Sequence, residues 1–184
     1  MPPNTATATP PTLPLVGRAN ELATLGAWLD GVAGGKGGTM IVAGGGGVGK
    51  TRLAAALAER AARQGWAVAV GQAYPVETGV PYAIFGDALL PFFRKMDTAA
   101  LAVLTRGGSA ELAYICPALA VTGDGRDAAA PAGREPAAEF KARLLWGFTQ
   151  ILTRVAARQP LLIVLENLQW ADPSSLELLH FTAR

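Results

Sequence analysis

The hydrophobic residues of this chain recur at spacings that predict amphipathic helices in two long segments. In the first, over residues 21–32, the apolar positions are Leu22, Leu25, Trp28 and Leu29. The second segment covers residues 137–158 and is closed by Pro160. Its apolar positions are Phe140, Leu144, Phe148, Ile151, Leu152 and Val155. Each segment is therefore predicted to pack one apolar face against a core.

Three short apolar runs are predicted to be strands. They are TMIVA at residues 39–43, WAVAVGQ at residues 66–72 and LLIVL at residues 161–165. Between the first two lies RLAAALAERAARQG, an Ala-rich helix former that Gly65 is suited to end. This strand–loop–helix–strand order is one βαβ unit, which predicts an α/β fold with a parallel sheet. Fully apolar strands further predict that helices cover both faces of that sheet.

The remaining segments have a weaker pattern. Further helices are predicted at residues 81–95, 98–104 and 110–120. Pro91 is expected to bend or end the first of them. Residues 123–136 are rich in Gly, Pro and Ala and are predicted to be a loop. Near the end of the chain, Asp172 is suited to cap a helix that begins with Pro173.

Composition places the chain among globular proteins and indicates no strongly charged partner. Of its 184 residues 51% are hydrophobic, and its formal net charge is +2. No cluster of Lys and Arg forms a nucleic-acid footprint, so this segment is expected to make no direct nucleic-acid contact. The longest purely aliphatic run, residues 161–165, is far too short to span a bilayer, and no membrane association is expected.

The single cysteine and the N-terminal residues favour a cytoplasmic protein. Cys116 has no second cysteine for an internal disulfide and is interpreted as a small apolar residue in a reducing setting. Residues 1–14 have neither the basic start nor the apolar stretch of a signal peptide. Their Pro and Thr content predicts a flexible leader, followed by one domain over residues 15–184.

One segment matches the pattern G-x-x-x-x-G-K-[ST] of a phosphate-binding loop, or P-loop. Its residues are Gly44, Gly45, Gly46, Gly47, Val48, Gly49, Lys50 and Thr51. Glycines let successive amides turn around phosphate oxygens, and the start of the next helix adds its positive end. Lys50 can reach the β- and γ-phosphates, and the Thr51 hydroxyl can ligate Mg²⁺. A flexible glycine linker is the alternative, but the apolar strand before and the helix after favour a P-loop.

A second part of such a site is expected where another buried strand ends in an acidic residue. Glu166 follows LLIVL and is predicted to serve the Mg²⁺ shell, the alternative being a solvent-facing carboxylate. Asn167 takes the next position, where a second acid is more usual. An amide cannot accept a proton as a base, but it can orient a water molecule. Lys50, Glu166 and Asn167 are therefore the catalytic candidates.

Four stretches together resemble one protein family. They are LVGRANELATLGAWL, GGGGVGKTRLAAALA, YPVETGVPYAIFGDAL and PLLIVLENLQWADPSSLELLHF. They are similar to the opening box, the Walker A segment, the segment after the second strand and the Walker B segment of AAA-type ATPase modules. Modules of this kind belong to the STAND group of P-loop NTPases. They occur in LuxR-type, MalT-like bacterial transcriptional regulators and beside adenylate cyclase domains.

The resemblance implies a ligand, further site residues and partners. The ligand would be ATP with Mg²⁺, with Val16, Gly17 and Arg18 near its adenine and ribose side. Arg52 is either a helix-surface side chain or a contact to the nucleotide or a neighbour. Output or sensor domains of the same longer chain would be the partners, with self-association as a further expectation.

The chain departs from the family pattern in ways that affect the expected chemistry and fold. Ala19 and Gly45 replace frequent Glu residues, and the extra glycines predict a floppier empty loop. Glu166 and Asn167 replace two Asp residues, which weakens the expectation of hydrolysis more than that of binding. Family members place a later strand between the Walker A and Walker B strands. The chain is therefore expected to be a fragment with an incomplete sheet, in which those two strands either leave a gap or pair directly.

The sequence is compatible with three functions. A nucleotide switch would bind Mg-ATP and hydrolyse it slowly within a larger signalling protein. A binding-only module would have lost hydrolysis, as Asn167 indicates. A metabolic P-loop kinase would need an acceptor site and an arginine-rich lid, neither of which stands out. His180, Trp170 and Asp172 are expected to have structural roles, on a packed or surface helix, in packing and in helix capping respectively.

Overall fold

The computed structural model of the protein describes residues 17–35, 37–77, 79–122 and 136–184. The helices of this part are α1 (Ala19–Ala33), α2 (Lys50–Arg63), α3 (Ala83–Phe93), α4 (Thr98–Thr105), α5 (Ser109–Ile115), α6 (Ala137–Ala156) and α7 (Pro173–Thr182). The strands are β1 (Ala67–Gln72) and β2 (Leu161–Glu166), and short 3-10 turns cover Pro75–Glu77, Pro117–Thr122 and Leu168–Trp170. The predicted leader, residue Val16 and most of the predicted loop at 123–136 lie outside the described residues.

The two strands pair in parallel over their whole length. The register runs from Ala67 beside Leu161 to Gln72 beside Glu166. The ladder also extends past the ends of the strands, because the Ala67 N–H donates to the Pro160 carbonyl at 2.8 Å and the Ala73 N–H to the Glu166 carbonyl at 3.0 Å. Within the described ranges the sheet has only these two strands. The α/β class and the parallel pairing of strands are thus confirmed.

Helices pack on both faces of the sheet, as the apolar strands predicted. Neighbouring residues of a strand point to opposite faces, so each strand contributes to two apolar clusters. On one face the buried residues, which come mainly from α1, α2 and the strands, are Leu25, Leu29, Leu53, Leu57, Ala61, Trp66 and Leu162. On the other face α3, α5, α6 and α7 build a larger cluster around Phe85, Leu89 and Phe148. The sheet therefore separates a small two-helix layer from a larger helical layer.

The segment predicted as the first strand, residues 39–43, is not a strand, so this prediction was wrong. No described residue pairs with it, and the Ile41 side chain is 80% exposed. Met40 alone of this run packs against the α1 and α2 cluster. Because a strand is held by hydrogen bonds to a neighbour, apolar composition does not suffice to form one. The predicted βαβ unit is therefore replaced by direct pairing of β1 with β2, and the run does not pair with β2 either.

Two predicted helices have different bounds in the structure. The differences occur at prolines and at a residue with a left-handed backbone. The helix predicted over 81–95 begins only at Ala83, because Tyr82 has a φ of 62°. It continues two residues past Pro91 before it ends. The helix predicted over 110–120 is divided into α5 and a 3-10 turn that begins at Pro117. Steric contact with the proline ring disfavours the helical conformation of the residue before it, and Cys116 accordingly lies outside the helical region, with a ψ of 73°.

A glycine in β1 allows α3 to approach the sheet closely. A single methyl group added at this position is therefore expected to destabilise the fold strongly. A Cβ at Gly71 would lie 2.3 Å from the Ile84 carbonyl oxygen and 2.9 Å from the Ala88 nitrogen, both backbone atoms. We expect Gly71→Ala to lower the free energy of unfolding by about 3 kcal/mol, because neither backbone can yield cheaply. Urea unfolding measures this quantity.

The matched control is the same substitution at Gly31 in α1, where a Cβ would meet no atom within 4 Å. There alanine is expected to raise stability by up to about 1 kcal/mol, since it is the better helix former. Equal effects of the two substitutions would show that α3 does not require the glycine.

Candidate nucleotide site

The glycine-rich segment turns directly into the first residue of α2. Gly47 and Gly49 have φ angles of +74° and +92°, in the region that residues with a side chain rarely adopt. Gly49 precedes Lys50, the first residue of α2, and its carbonyl accepts the Leu53 N–H at 3.0 Å. The loop is therefore a tight turn at a helix start, with residues 41–48 exposed to solvent. This is the arrangement in which backbone amides and a helix N-terminus can receive a phosphate group.

The Lys50 ammonium group lies within the loop. It donates to the Gly45 carbonyl at 2.7 Å and to the Gly44 carbonyl at 3.0 Å. Both acceptors are neutral, so a phosphate oxygen would be a stronger partner for the same ammonium. Thr51 and Arg52 follow on the exposed first turn of α2. The predicted loop residues are thus all brought together at one end of this helix.

Arg18 contacts the loop from outside. Its guanidinium donates to the Val48 carbonyl at 2.7 Å and also to the Glu21 carboxylate. The hydrogen bond from Arg18 lowers the pKa of the Glu21 carboxyl below its ordinary value. Gly17, beside it, has a φ of +73°. The structure therefore brings the Arg18 side chain to the loop, whereas a Cβ added at Gly17 would meet no atom within 4 Å, and Val16 lies outside the described residues.

Glu166 and Asn167 stand where the sheet ends. Glu166 is the last residue of β2 and is partly buried. Asn167 has a φ of 58° and a ψ of 40°, the left-handed conformation that Asn tolerates better than most residues. Its carbonyl accepts the Trp170 N–H at 2.8 Å, which closes a 3-10 turn. The left-handed backbone that this turn needs therefore explains why an Asn residue directly follows the strand.

The packing of α2 links the loop to the sheet. Leu53 and Leu57, in the first half of α2, belong to the same buried cluster as Leu162 of β2. Because side chains alternate along a strand, Glu166 lies on the same face of the sheet as Leu162. The loop at the start of α2 and the carboxylate at the end of β2 are thus tied to one face through apolar contacts.

The oxygen donors of this region fit a magnesium ion that accompanies a nucleotide. Magnesium prefers oxygen ligands and is usually held by one or two protein oxygens together with substrate phosphates and water. The Thr51 hydroxyl and the Glu166 carboxylate are donors of this type. In the part of the chain that the structure describes, no three His, Cys, Asp or Glu side chains form a metal cluster. Most ligands of such an ion would therefore come from phosphates and water.

A buried carboxylate connects the segments that follow the two strands. Asp172 is 4% exposed, and its Oδ1 accepts the Ser175 N–H at 3.0 Å and the Tyr82 N–H at 3.3 Å. Its Oδ2 accepts the Ser175 hydroxyl. The predicted capping role is confirmed, and the bond to Tyr82 adds a link that the sequence did not indicate. That link holds Tyr82, the left-handed residue directly before α3.

The burial of three other residues can be compared with the roles expected for them. His180 lies exposed on α7, in agreement with a surface histidine. Trp170 is 43% exposed, so it packs less fully than expected. Cys116 is buried, and burial raises the pKa of its thiol to about 12, which keeps it protonated and unreactive at neutral pH.

Sequence reasoning gave no role to Gln72, although it is the polar last residue of β1 and lies beside Glu166 in the register. The available signal was a polar residue at the end of a predicted strand, the same signal that identified Glu166. Which strand ends are neighbours depends on the sheet order, which the sequence alone left open.

Comparisons with known proteins agree with this geometry. Residues 14–184 match a family model described as an AAA ATPase domain. An uncharacterized protein of Rhizobium meliloti (strain 1021) is 26% identical over 180 residues, which are 93% of this chain and 17% of that relative. No solved structure matches the chain significantly. Among the described residues, no helix is long and apolar enough to cross a membrane.

Asp97 and Asp172 each cap a helix in the described part of the chain, and replacing them with alanine is expected to destabilise the fold to different extents. Asp97 accepts the Ala100 N–H at 2.7 Å on an exposed helix start, whereas Asp172 is buried. We expect Asp172→Ala to lower the free energy of unfolding by about 3 kcal/mol, because donors of Ser175 and Tyr82 lose their acceptor. Asp97→Ala should cost about 1 kcal/mol in the same urea titration. Similar values for the two variants would contradict the linking role of Asp172.

Proposed function

Because this chain belongs to the AAA ATPase domain family, we propose that it binds Mg-ATP at residues 44–51 and hydrolyses it slowly. The observation that carries this proposal is the turn of the glycine loop into α2 with the Lys50 ammonium held inside it. Loop amides, helix end and ammonium all offer positive charge at one place. A triphosphate is the ligand that matches this arrangement best.

Binding would proceed by exchange of hydrogen-bond partners. Lys50 would leave the carbonyls of Gly44 and Gly45 for the β- and γ-phosphate oxygens, and the loop amides would donate to the same phosphates. Arg18 would hold the loop in shape through the Val48 carbonyl. Its position beside the loop supports the expectation that residues 16–18 border the nucleotide. Arg52 is exposed on the first turn of α2, where contact with the nucleotide is a further proposal.

Thr51 and Glu166 would hold the magnesium ion, which neutralises charge on the β- and γ-phosphates when it is bound. The Thr51 hydroxyl would be a direct ligand, and the Glu166 carboxylate would act through the water shell. Asn167 cannot take a proton from the attacking water, which supports slow rather than rapid hydrolysis. A binding-only module is the second candidate, and the same Asn167 favours it.

We place this domain in a larger bacterial signalling protein. The chain spans 17% of the length of the relative it matches, so the whole protein's activity and partners are proposals. The resemblance to STAND modules of LuxR-type regulators supports a nucleotide switch that acts on sensor or output domains in the cytoplasm. Mg-ATP would favour one arrangement of those domains and ADP another, through differential affinity for the two.

The Lys50 side chain provides the direct test of binding. We expect Lys50→Ala to weaken ATP binding at least about 100-fold, because a charge-assisted contact to the phosphates is lost. Isothermal titration with Mg-ATP measures the affinity, and unfolding temperature reports whether the fold persists. Lys95→Ala is the control, since Lys95 is exposed at the far end of α3. Retained affinity in the Lys50 variant would refute the proposed site.

Single-turnover hydrolysis by the full-length protein separates the two candidate functions. We expect a slow release of phosphate from bound ATP that Glu166→Gln reduces at least about tenfold, while ATP affinity changes little. Tight binding without any phosphate release from the unsubstituted protein would favour the binding-only module. Equal rates for the protein and the Glu166 variant would show that the carboxylate does not serve the reaction.

A further inference from the structure

The side chains of Gln72 and Glu166 stand side by side at the end of the sheet. The two residues are register partners, each the last of its strand, and both are partly buried. Partners in a parallel pair direct their side chains to the same face, with neighbouring strands about 4.8 Å apart. A carboxamide therefore lies next to the carboxylate that we assign to the magnesium shell.

Both side chains lie on the face of the sheet that α2 covers. In β1 the alternation places Gln72 with Val68, and in β2 it places Glu166 with Val164. Val68 and Val164 pack against the cluster that contains Leu53 and Leu57 of α2. Since the P-loop is the start of α2, Gln72 shares its face of the sheet with the proposed nucleotide site.

This end of the face is open to solvent. Val70, between Val68 and Gln72 on the same face, is 49% exposed, so α2 does not cover it. Small molecules such as water can therefore reach the Gln72 and Glu166 side chains. A carboxamide in a fully covered position would not have this access.

Gln72 is held in place by two neighbours. Its backbone N–H donates to the Asp87 carboxylate at 2.9 Å, and its side-chain oxygen accepts the Tyr74 hydroxyl at 3.3 Å. With Oε1 engaged by Tyr74, the Nε2 amide is the group left to donate to a ligand. Asn167, by contrast, has a role at this end of the sheet that its left-handed backbone alone accounts for.

We propose that Gln72, rather than Asn167, orients the water that attacks the γ-phosphate, an inference that rests on the proposed ATP hydrolysis. The Nε2 amide donates to the water oxygen and fixes its position opposite the leaving group. The oxygen–phosphorus bond to this water forms as the bond to the β,γ-bridging oxygen breaks. The electron pair of the broken bond stays on ADP, and a water proton passes to an oxygen of the released phosphate. A Gln side chain can do this without acting as a base.

Replacement of Gln72 in the full-length protein tests this role. We expect Gln72→Ala to slow single-turnover hydrolysis about 100-fold, the usual effect of losing one positioned donor at a reacting centre. ATP affinity should change by less than about twofold, because the ground-state contacts lie in the P-loop. Binding of ADP with aluminium fluoride, which imitates the transferring phosphoryl group, should weaken in parallel with the rate.

Three further variants make the test specific. Gln72→Met keeps the length of the side chain without its donor, so it should reproduce the loss even where Gln72→Ala disturbs β1. Tyr74→Phe releases the carboxamide from its partner and is expected to cause a smaller loss of rate. Asn167→Gly preserves the left-handed turn but removes the side-chain amide, so it tests the competing role of Asn167, and a smaller loss of rate is expected than in the Gln72 variants.

The outcomes separate this inference from the proposed function. If the unsubstituted protein releases phosphate and both Gln72 variants match its rate, the role of Gln72 is refuted while ATP hydrolysis stands. A loss of rate in Asn167→Gly but not in the Gln72 variants would show that Asn167, and not Gln72, orients the water. If the unsubstituted protein neither binds nor hydrolyses ATP, the proposed function itself fails.

Discussion

The packing of α2 against the sheet is the contact on which the rest of the structure depends. Leu53 and Leu57 are buried with Leu162, and this apolar contact positions the beginning of α2 against the sheet. The P-loop is the turn before that beginning, so burial on one side of the helix positions the amides and the ammonium group on its end. The proposed phosphate site therefore depends on this packing for its position relative to the sheet.

Polar contacts add to the apolar packing at the carboxyl end of the sheet. Asp172 joins Tyr82 to the turn before α7, and Asp87 binds the backbone of Gln72. Each contact connects the segment after one strand to a neighbouring element. The two carboxylates therefore stabilise the backbone of Tyr82 and of Gln72 at this end of the sheet.

Much of the helical structure could be predicted from the chain, because helix signals are local. The spacing of Leu22, Leu25 and Leu29 indicated α1, and the Ala-rich run that ends at Gly65 indicated α2. The capping role of Asp172 could also be predicted, since the carboxylate and the Ser175 N–H that donates to it lie three residues apart. That residues 39–43 form no strand could not be predicted, because a strand also requires a neighbour that is distant along the chain.

The sequence by itself determined the P-loop, the helices and the apolar strands β1 and β2, because each depends on residues close together in the chain. Only the tertiary structure decided that β1 pairs directly with β2, that Gln72 stands beside Glu166, and that Arg18 reaches the Val48 carbonyl. These are contacts between residues far apart in the chain. Their free energy depends on how whole helices pack on the sheet, and local sequence patterns do not predict that packing.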